Sequence, residues 1–182
     1  MMAPLDPALQ WLLRALLAFV LMRAAWHKGR DLAAFRLALA GYQLIPSVSV
    51  QAASLALVAL EATSAVALLV PATSVAGAWG AGGLLVLYSA AIAINLLRGR
   101  RTIDCGCSGP AGSRPLGEAL LVRNGLLIGA VIVCSAPAAA RSVGAVDALT
   151  VFLGAAVASL LYVAIDLALD LAPRMRSLRQ GT

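Results

Sequence analysis

Charged residues are scarce in this chain. Asp, Glu, Lys and Arg make up 12% of its 182 residues, whereas 62% of the residues are hydrophobic and the mean hydropathy is +0.92. Soluble globular proteins carry about 25% charged residues, so the composition excludes a soluble domain of appreciable size. A membrane-spanning helix needs about 20 mostly apolar residues, and the sequence therefore predicts an all-α integral membrane protein with several spans.

Aromatic residues are also few, at 5%, although the chain carries a formal net charge of +6. The basic residues fall between apolar stretches, where the orientation signals of membrane proteins lie, and we therefore expect the lipid bilayer as a partner and no nucleic acid. A cleavable signal peptide fits badly, because the residues before Arg14 include the acidic Asp6 and contain no Lys or Arg. We expect the first apolar stretch to remain as a span.

The apolar stretches predict a four-helix transmembrane domain over residues 1–135 and a fifth helix with a basic tail over residues 136–182. The predicted spans are residues 8–26, 48–70, 75–97, 117–135 and 146–171. A short helix lying at the membrane interface is predicted over residues 31–44, before Pro46. Four glycines near the start of the third span favour close approach of another helix. They are Gly77, Gly80, Gly82 and Gly83.

The basic residues predict the orientation. The loops after the first and third spans and the C-terminal tail are rich in arginine, whereas Arg141 lies on the opposite side. The positive-inside rule then places the N-terminus outside a bacterial inner membrane and the C-terminus and the loop 98–116 in the cytoplasm. Trp26, His27 and Lys28 end the first span with an aromatic and basic edge that is typical of the headgroup layer.

The loop 98–116 contains a vicinal dithiol. Cysteines two positions apart can bring their Cα atoms within the 4.4–6.8 Å or so of a disulfide, and Gly106 gives the backbone between Cys105 and Cys107 the freedom for so tight a ring. A strained ring is easily reduced, which indicates a redox group rather than a structural staple. Arg100 favours thiolate in this loop, whereas Asp104 opposes it or accepts a proton.

There are three other interpretations of these thiols: structural zinc, inert reduced thiols and a soft-metal carrier. Structural zinc sites commonly use four ligands, and one cysteine pair with the single His27 does not supply them, so we predict no metal. Thiols that stay reduced and inert are the second alternative, and Cys134 in the fourth span fits that description as a small buried hydrophobe. A carrier of a soft ion such as Cu(I) lacks a second ligand pair within the membrane.

Polar residues inside the spans are further candidates. An acid at the depth of Glu61 costs roughly 2.5–3.5 kcal/mol, so Glu61 must face the bundle and bind a partner, with Arg123 as one candidate. Asn95, Arg123 and Asn124 are predicted to form a polar cluster near the dithiol. Interhelical hydrogen bonds that only fix the packing are the alternative. We expect Asp166, near the membrane edge, to be solvated.

Several segments resemble a known family. They are HKGRDLAAFRLALAGYQLIP at residues 27–46, YSAAIAINLLRGRRTIDCGCSG at 88–109 and LVRNGLL at 121–127. Together with Glu61 they make residues 11–134 similar to MauE, the methylamine-utilisation membrane protein, and more distantly to the DoxX-like four-helix membrane proteins. The family usually reads CGCFG, and Ser108 replaces the Phe here.

The resemblance implies a function. It implies thiol–disulfide maturation of an exported client such as methylamine dehydrogenase, whose small subunit carries several disulfides and a tryptophan-derived quinone, together with a thioredoxin-like partner of the MauD type. An exported client conflicts with a cytoplasmic dithiol, so either electrons cross the membrane or the loop faces outward. No bound cofactor is predicted, although a relay across the membrane would need a quinone or a mobile loop. Whether the chain is an enzyme or a non-enzymatic assembly or translocation scaffold stays open at this point.

Overall fold

A computed structural model describes residues 4–100 and 117–180, and within those ranges the chain is all-α. Its helices are α1 (Pro7–Arg30), α2 (Leu32–Gly41), α3 (Val50–Leu69), α4 (Ser74–Leu97), α5 (Glu118–Cys134) and α6 (Ala145–Gln180). The described ranges contain no strand, and an isolated β-bridge pairs Leu5 with Ala138. The predicted helical class is confirmed.

Four helical segments in the described residues are long and apolar enough to cross a membrane. They are Pro7–Arg30, Ser47–Leu69, Pro71–Leu97 and Ala145–Ala168. The fourth predicted span, α5, has 17 residues, which at 1.5 Å per residue gives a length of about 26 Å. That is slightly less than the roughly 30 Å hydrocarbon core of a bilayer.

Local capping explains where the first two helices begin and end. The side chain of Asp6 accepts a hydrogen bond from the backbone N–H of Ala8 at 2.8 Å, and Pro7 occupies the first turn, where its missing N–H costs nothing. Asp31 accepts from the backbone N–H of Ala34 at 2.9 Å and so caps α2. Helix α1 therefore continues about one turn beyond its predicted end and keeps Lys28 helical.

Helix α1 is the centre of the bundle and packs against α3, α4, α5 and α6. Helices α3 and α4 form a tight hairpin across the 3₁₀ turn Pro71–Thr73. A Cβ at Gly77 would lie 2.5 Å from the backbone nitrogen of Leu68, and one at Gly80 would collide with Ser64. A Cβ at Gly82 would lie 3.3 Å from the Val131 side chain of α5, so close approach is confirmed at three of the four glycines, whereas nothing lies within 4 Å of a Cβ at Gly83.

The connections define two ends of the bundle. The Gln10 side-chain amide donates to the backbone oxygen of Ala136 at 2.5 Å, so the start of α1 and the end of α5 lie at the same end. At the opposite end, which we call the loop end, α1 and α4 finish and α3 and α5 begin. The two helices that carry the dithiol loop, α4 and α5, pack against each other.

Candidate functional site

The predicted dithiol and its immediate neighbours lie outside the described residues. They are Asp104, Cys105, Gly106 and Cys107. The structure does describe what lies beside the loop, because α4 ends at Leu97 and α5 begins at Glu118. The Arg100 guanidinium donates to the side-chain oxygen of Asn95 at 3.5 Å, and the amide of Asn95 donates to the backbone oxygen of Ala91 at 3.1 Å. Asn95 is fully buried and anchors the first residues of the loop.

A buried cluster joins three helices on one side of α4. The Lys28 ammonium of α1 donates to the Glu61 carboxylate of α3 and, at 3.0 Å, to the Tyr88 hydroxyl of α4. The Tyr88 hydroxyl donates to the same carboxylate oxygen at 2.7 Å. The Lys28 and Glu61 side chains are 1% and 0% exposed. We call these three residues the lysine cluster.

A second cluster lies on the other side of α4. The Asn124 amide of α5 donates to the Ser89 hydroxyl at 3.3 Å, and the Arg123 guanidinium donates to the Asn124 side-chain oxygen at 3.4 Å. Asp166 of α6 forms ion pairs with Arg123 at 3.0 Å and with Arg23 of α1 at 2.9 Å. We call these five residues the arginine cluster.

The two clusters form one polar belt around the bundle. They meet on α4 at the consecutive residues Tyr88 and Ser89, and they meet again on α1, which carries both Lys28 and Arg23. All five long helices therefore contribute to the belt. Removing one partner of a buried ion pair leaves an uncompensated charge and costs about 3–5 kcal/mol, so the belt holds the helices in a defined arrangement.

The belt includes several of the predicted site residues, and its contacts show that two predictions about exposure were wrong. Glu61, Arg123 and Asn124 do face the bundle interior. The expectation that Asp166 is solvated is wrong, because it is 5% exposed and binds two arginines. Lys28 is not a headgroup residue, since it is 2% exposed and pairs with Glu61.

Asn95 lies apart from Arg123 and Asn124. It is nearly two turns beyond Ser89 on α4 and bonds Arg100 instead. The predicted cluster of Asn95, Arg123 and Asn124 therefore divides into two separate sets of contacts.

Helical spacing gives a signal for the residues that sequence reasoning misplaced. Lys28 lies seven residues after the buried Leu21, and both therefore face the same side of α1. On α5 the buried residues repeat with alternating steps of four and three: Leu120, Asn124, Leu127, Val131 and Cys134. An ionisable residue in register with such a stripe points to the interior even near a helix end.

Cys134 is buried, as predicted, and its thiol donates to the backbone oxygen of Val131 at 3.4 Å. Among the residues that the structure describes, no group of three or more His, Cys, Asp or Glu side chains could hold a metal ion. Cys134 is thus a packing residue of α5.

The end of the bundle opposite the loop is held by an exposed ion-pair clamp. The guanidinium of Arg141 binds Asp6 at 3.0 Å and Asp147 at 2.8 Å. Its hydrogen bond lowers the pKa of the Asp6 carboxyl below the ordinary value, and the backbone N–H of Ala8 lowers it further. The clamp joins the starts of α1 and α6.

Comparison with known proteins places this arrangement in a family. The family model described as methylamine utilisation protein MauE matches residues 6–138. The methylamine utilization protein MauE of Paracoccus denitrificans is 33% identical over 164 residues, which cover 90% of this chain and 88% of that relative. The protein of the same name from Methylophilus methylotrophus is 36% identical over 164 residues, covering 89% and 86%.

A third relative, the MauE protein of Paracoccus versutus, is 32% identical over 158 residues, covering 86% of this chain and 85% of the relative. No solved structure matches the chain. The matched region contains α1 to α5, and hence Lys28, Glu61, Tyr88, Asn124 and the dithiol loop between α4 and α5. The chain therefore belongs to the MauE family.

Proposed function

We propose that this chain is a membrane thiol–disulfide exchange component in the maturation of an exported enzyme. The observation that carries the proposal is the Cys105-Gly106-Cys107 sequence in the connection between α4 and α5 of a MauE-family chain. The sequence places these two cysteines in a polar connection, whereas Cys134 is buried inside α5. Accessible vicinal thiols are suited to exchange.

The proposed exchange conserves atoms and electrons. A thiolate of the partner attacks one sulfur of the Cys105–Cys107 disulfide, which forms a mixed disulfide and releases the other sulfur as a thiolate. The partner's second thiolate then displaces the first sulfur of this chain. The partner leaves oxidised, and this chain keeps two electrons and, after protonation, two protons as a dithiol. The same steps in reverse oxidise this chain.

The described residues support this role through rigidity. The belt fixes α4 against α5 through Ser89 and Asn124, and Asn95 holds the backbone that enters the loop through Arg100. Fixed positions of the two helices that flank the loop give a partner protein a defined region in which to bind.

Family membership supplies the biological context of the proposal. The relatives are named methylamine utilization proteins, and the resemblance implies methylamine dehydrogenase as the client and a thioredoxin-like protein of the MauD type as the partner. We propose the bacterial inner membrane as the location, with the loop end cytoplasmic according to the distribution of arginines. The client is exported, so the exchange then couples the two faces of the membrane.

Trapping the mixed disulfide tests the proposal. In a Cys107→Ser variant, the Cys105 thiolate can attack the disulfide of an oxidised thioredoxin-like partner and release one partner thiolate, but no neighbouring cysteine then displaces the partner, which should stay attached. The expected result is a species of the combined mass that disappears on reduction. The matched control is Cys134→Ser, which removes the buried thiol and should leave trapping unchanged. Wild-type thiols that never leave the reduced state in cells would contradict the exchange.

A second candidate function is a non-enzymatic assembly scaffold, and the polar belt favours it because its ion pairs and hydrogen bonds hold the helices together without the cysteines. Replacing both Cys105 and Cys107 by serine separates the two functions. Loss of client maturation supports exchange, whereas full maturation supports the scaffold. Labelling of intact cells with a membrane-impermeant thiol reagent then reports which face carries the loop, because Cys134 is buried.

A further inference from the structure

A cavity of about 320 Å³ lies between α2, α3 and α4, beside the lysine cluster. Its walls are almost entirely apolar, and aromatic rings form part of them. The main wall residues are Phe35, Tyr42, Leu57, Tyr88 and Ile92. Its volume falls within the range of roughly 300–1,000 Å³ that is typical of small-molecule sites.

The cavity opens towards lipid. Ala56 and Leu87 line it, and both lie within membrane-spanning segments. Leu87 is 53% exposed, so its side chain faces the surroundings of the bundle rather than its core. A ligand that enters here comes from the bilayer, and an attached hydrocarbon tail can remain in the lipid.

One buried cation lines this apolar space. The Lys28 ammonium has three N–H donors. One is used by Glu61 and a second by the Tyr88 hydroxyl. Within residues 4–100 and 117–180, the third N–H meets no oxygen acceptor, and the ammonium lies 5.0 Å from the Phe35 ring centroid. A buried donor without an acceptor is costly, so this N–H favours a ligand with an acceptor oxygen.

We infer that this cavity binds the ring of a lipid-soluble quinone, with the Lys28 ammonium donating a hydrogen bond to a carbonyl oxygen. A cationic ligand would be repelled by Lys28, and a carboxylate would meet the Glu61 carboxylate that Lys28 already binds. A plain hydrocarbon would leave the third N–H unsatisfied. A flat neutral ring with carbonyl acceptors fits both the aromatic walls and the donor.

The quinone gives the proposed exchange an electron acceptor, and this part of the inference rests on the proposed function. When the reduced Cys105 and Cys107 close to a disulfide, they release two electrons and two protons. A quinone that takes up both becomes a quinol, so the reaction balances without another oxidant. The quinol leaves through the lipid-facing opening and is replaced by a quinone from the bilayer.

Direct binding tests the site independently of the thiols. The probe is a benzoquinone with a short alkyl tail, titrated by calorimetry into the purified full-length chain in detergent. The comparison probe is the alkylbenzene with the same tail, which lacks the carbonyl oxygens. We expect saturable binding of the quinone and at least about tenfold weaker binding of the alkylbenzene, since a hydrogen bond to a charged donor is lost. Equal binding of the two probes would reduce the site to a lipid groove and overturn the inference.

Matched variants locate the site. Ala91 lines the cavity, whereas its neighbour Ala90 is exposed outside it. Ala91→Phe should weaken quinone binding at least about tenfold, because the new ring fills the space, and Ala90→Phe should leave it unchanged. Unaltered binding in Ala91→Phe, or an equal loss in both variants, would contradict the assignment.

The donor is tested with a variant that removes both charges of the ion pair. Lys28→Met with Glu61→Leu keeps apolar volume in the core and leaves no buried charge alone. Quinone binding should fall to the level of the alkylbenzene, and retention of full affinity would refute the role of Lys28. The Cys105→Ser, Cys107→Ser variant should bind the quinone normally. Binding with failed trapping therefore overturns the exchange alone, and trapping without quinone binding overturns this inference alone.

Discussion

The lysine cluster makes a quantitative prediction for Lys28→Met. The substitution keeps the length and apolar stem of the side chain but leaves the Glu61 carboxylate buried at 0% exposure with its cation removed. Breaking a buried ion pair in this way costs about 3–5 kcal/mol. An independent figure agrees, because forcing an ordinary glutamic acid to bind a proton at pH 7 costs about 4 kcal/mol.

The double variant Lys28→Met, Glu61→Leu should recover most of the stability at pH 7, because no charge is left buried.

Unfolding of the detergent-solubilised protein at pH 7, followed by circular dichroism over increasing concentrations of a denaturing detergent, measures these quantities. The matched control is Arg30→Met, which removes an exposed basic residue two positions away and should change stability by no more than about 0.5 kcal/mol. A loss below about 1 kcal/mol for Lys28→Met, or a double variant as unstable as the single one, would refute the reasoning.

Three further predictions concern the rest of the bundle. Asp166→Asn should cost about 3 kcal/mol, because it leaves the Arg23 and Arg123 cations without their shared carboxylate; limited proteolysis in the connection 136–144 should increase relative to the wild type. Gly77→Ala should destabilise the α3–α4 hairpin by about 1–3 kcal/mol, measured by thermal unfolding, since its Cβ would lie 2.5 Å from the Leu68 nitrogen, whereas Gly83→Ala has free space. Because the pKa of Asp6 is lowered, the Asp6 carboxylate should contribute to stability at pH values above 3.8, the ordinary pKa of the group, and this contribution should be lost as the pH falls below 3.8. The acid-unfolding curves of the wild type and Asp6→Asn should therefore converge below pH 3.8, and a constant offset between them would contradict this.

Predicted helix bounds were close to those observed because they depend on local properties. The span predicted over residues 75–97 is observed as Ser74–Leu97, and the one predicted over 117–135 as Glu118–Cys134. The prediction erred at the ends of α6 and α1. Helix α6 continues to Gln180, beyond the predicted end at residue 171, and at the end of α1 the competing influence was also local. Basic residues after an apolar run usually mark the headgroup layer, which led to a predicted end at residue 26. Helix α1 instead runs to Arg30, and the next residue, Asp31, is the N-cap of α2.

The partners of the buried charges could not be predicted in the same way. The sequence indicated that Glu61 needs a cation, yet Arg123 and Lys28 were both available within the chain, and the choice depends on which helix lies beside α3. Helix α1 packs there and brings Lys28 to Glu61, while Arg123 faces α6 and binds Asp166. The Asp166 error has the same origin, since exposure near a helix end depends on which neighbours cover it.

The amino-acid sequence by itself therefore determined the membrane class, most helix bounds, the close approach at Gly77, Gly80 and Gly82, and the position of a cysteine pair between α4 and α5. Each of these follows from hydropathy, helical period or side-chain size along a continuous stretch of chain. Only the tertiary structure decided that eight residues from five helices form one polar belt with an apolar cavity beside it. Hydrogen bonds and ion pairs act over about 3 Å, so they depend on helix positions that no local stretch of sequence specifies.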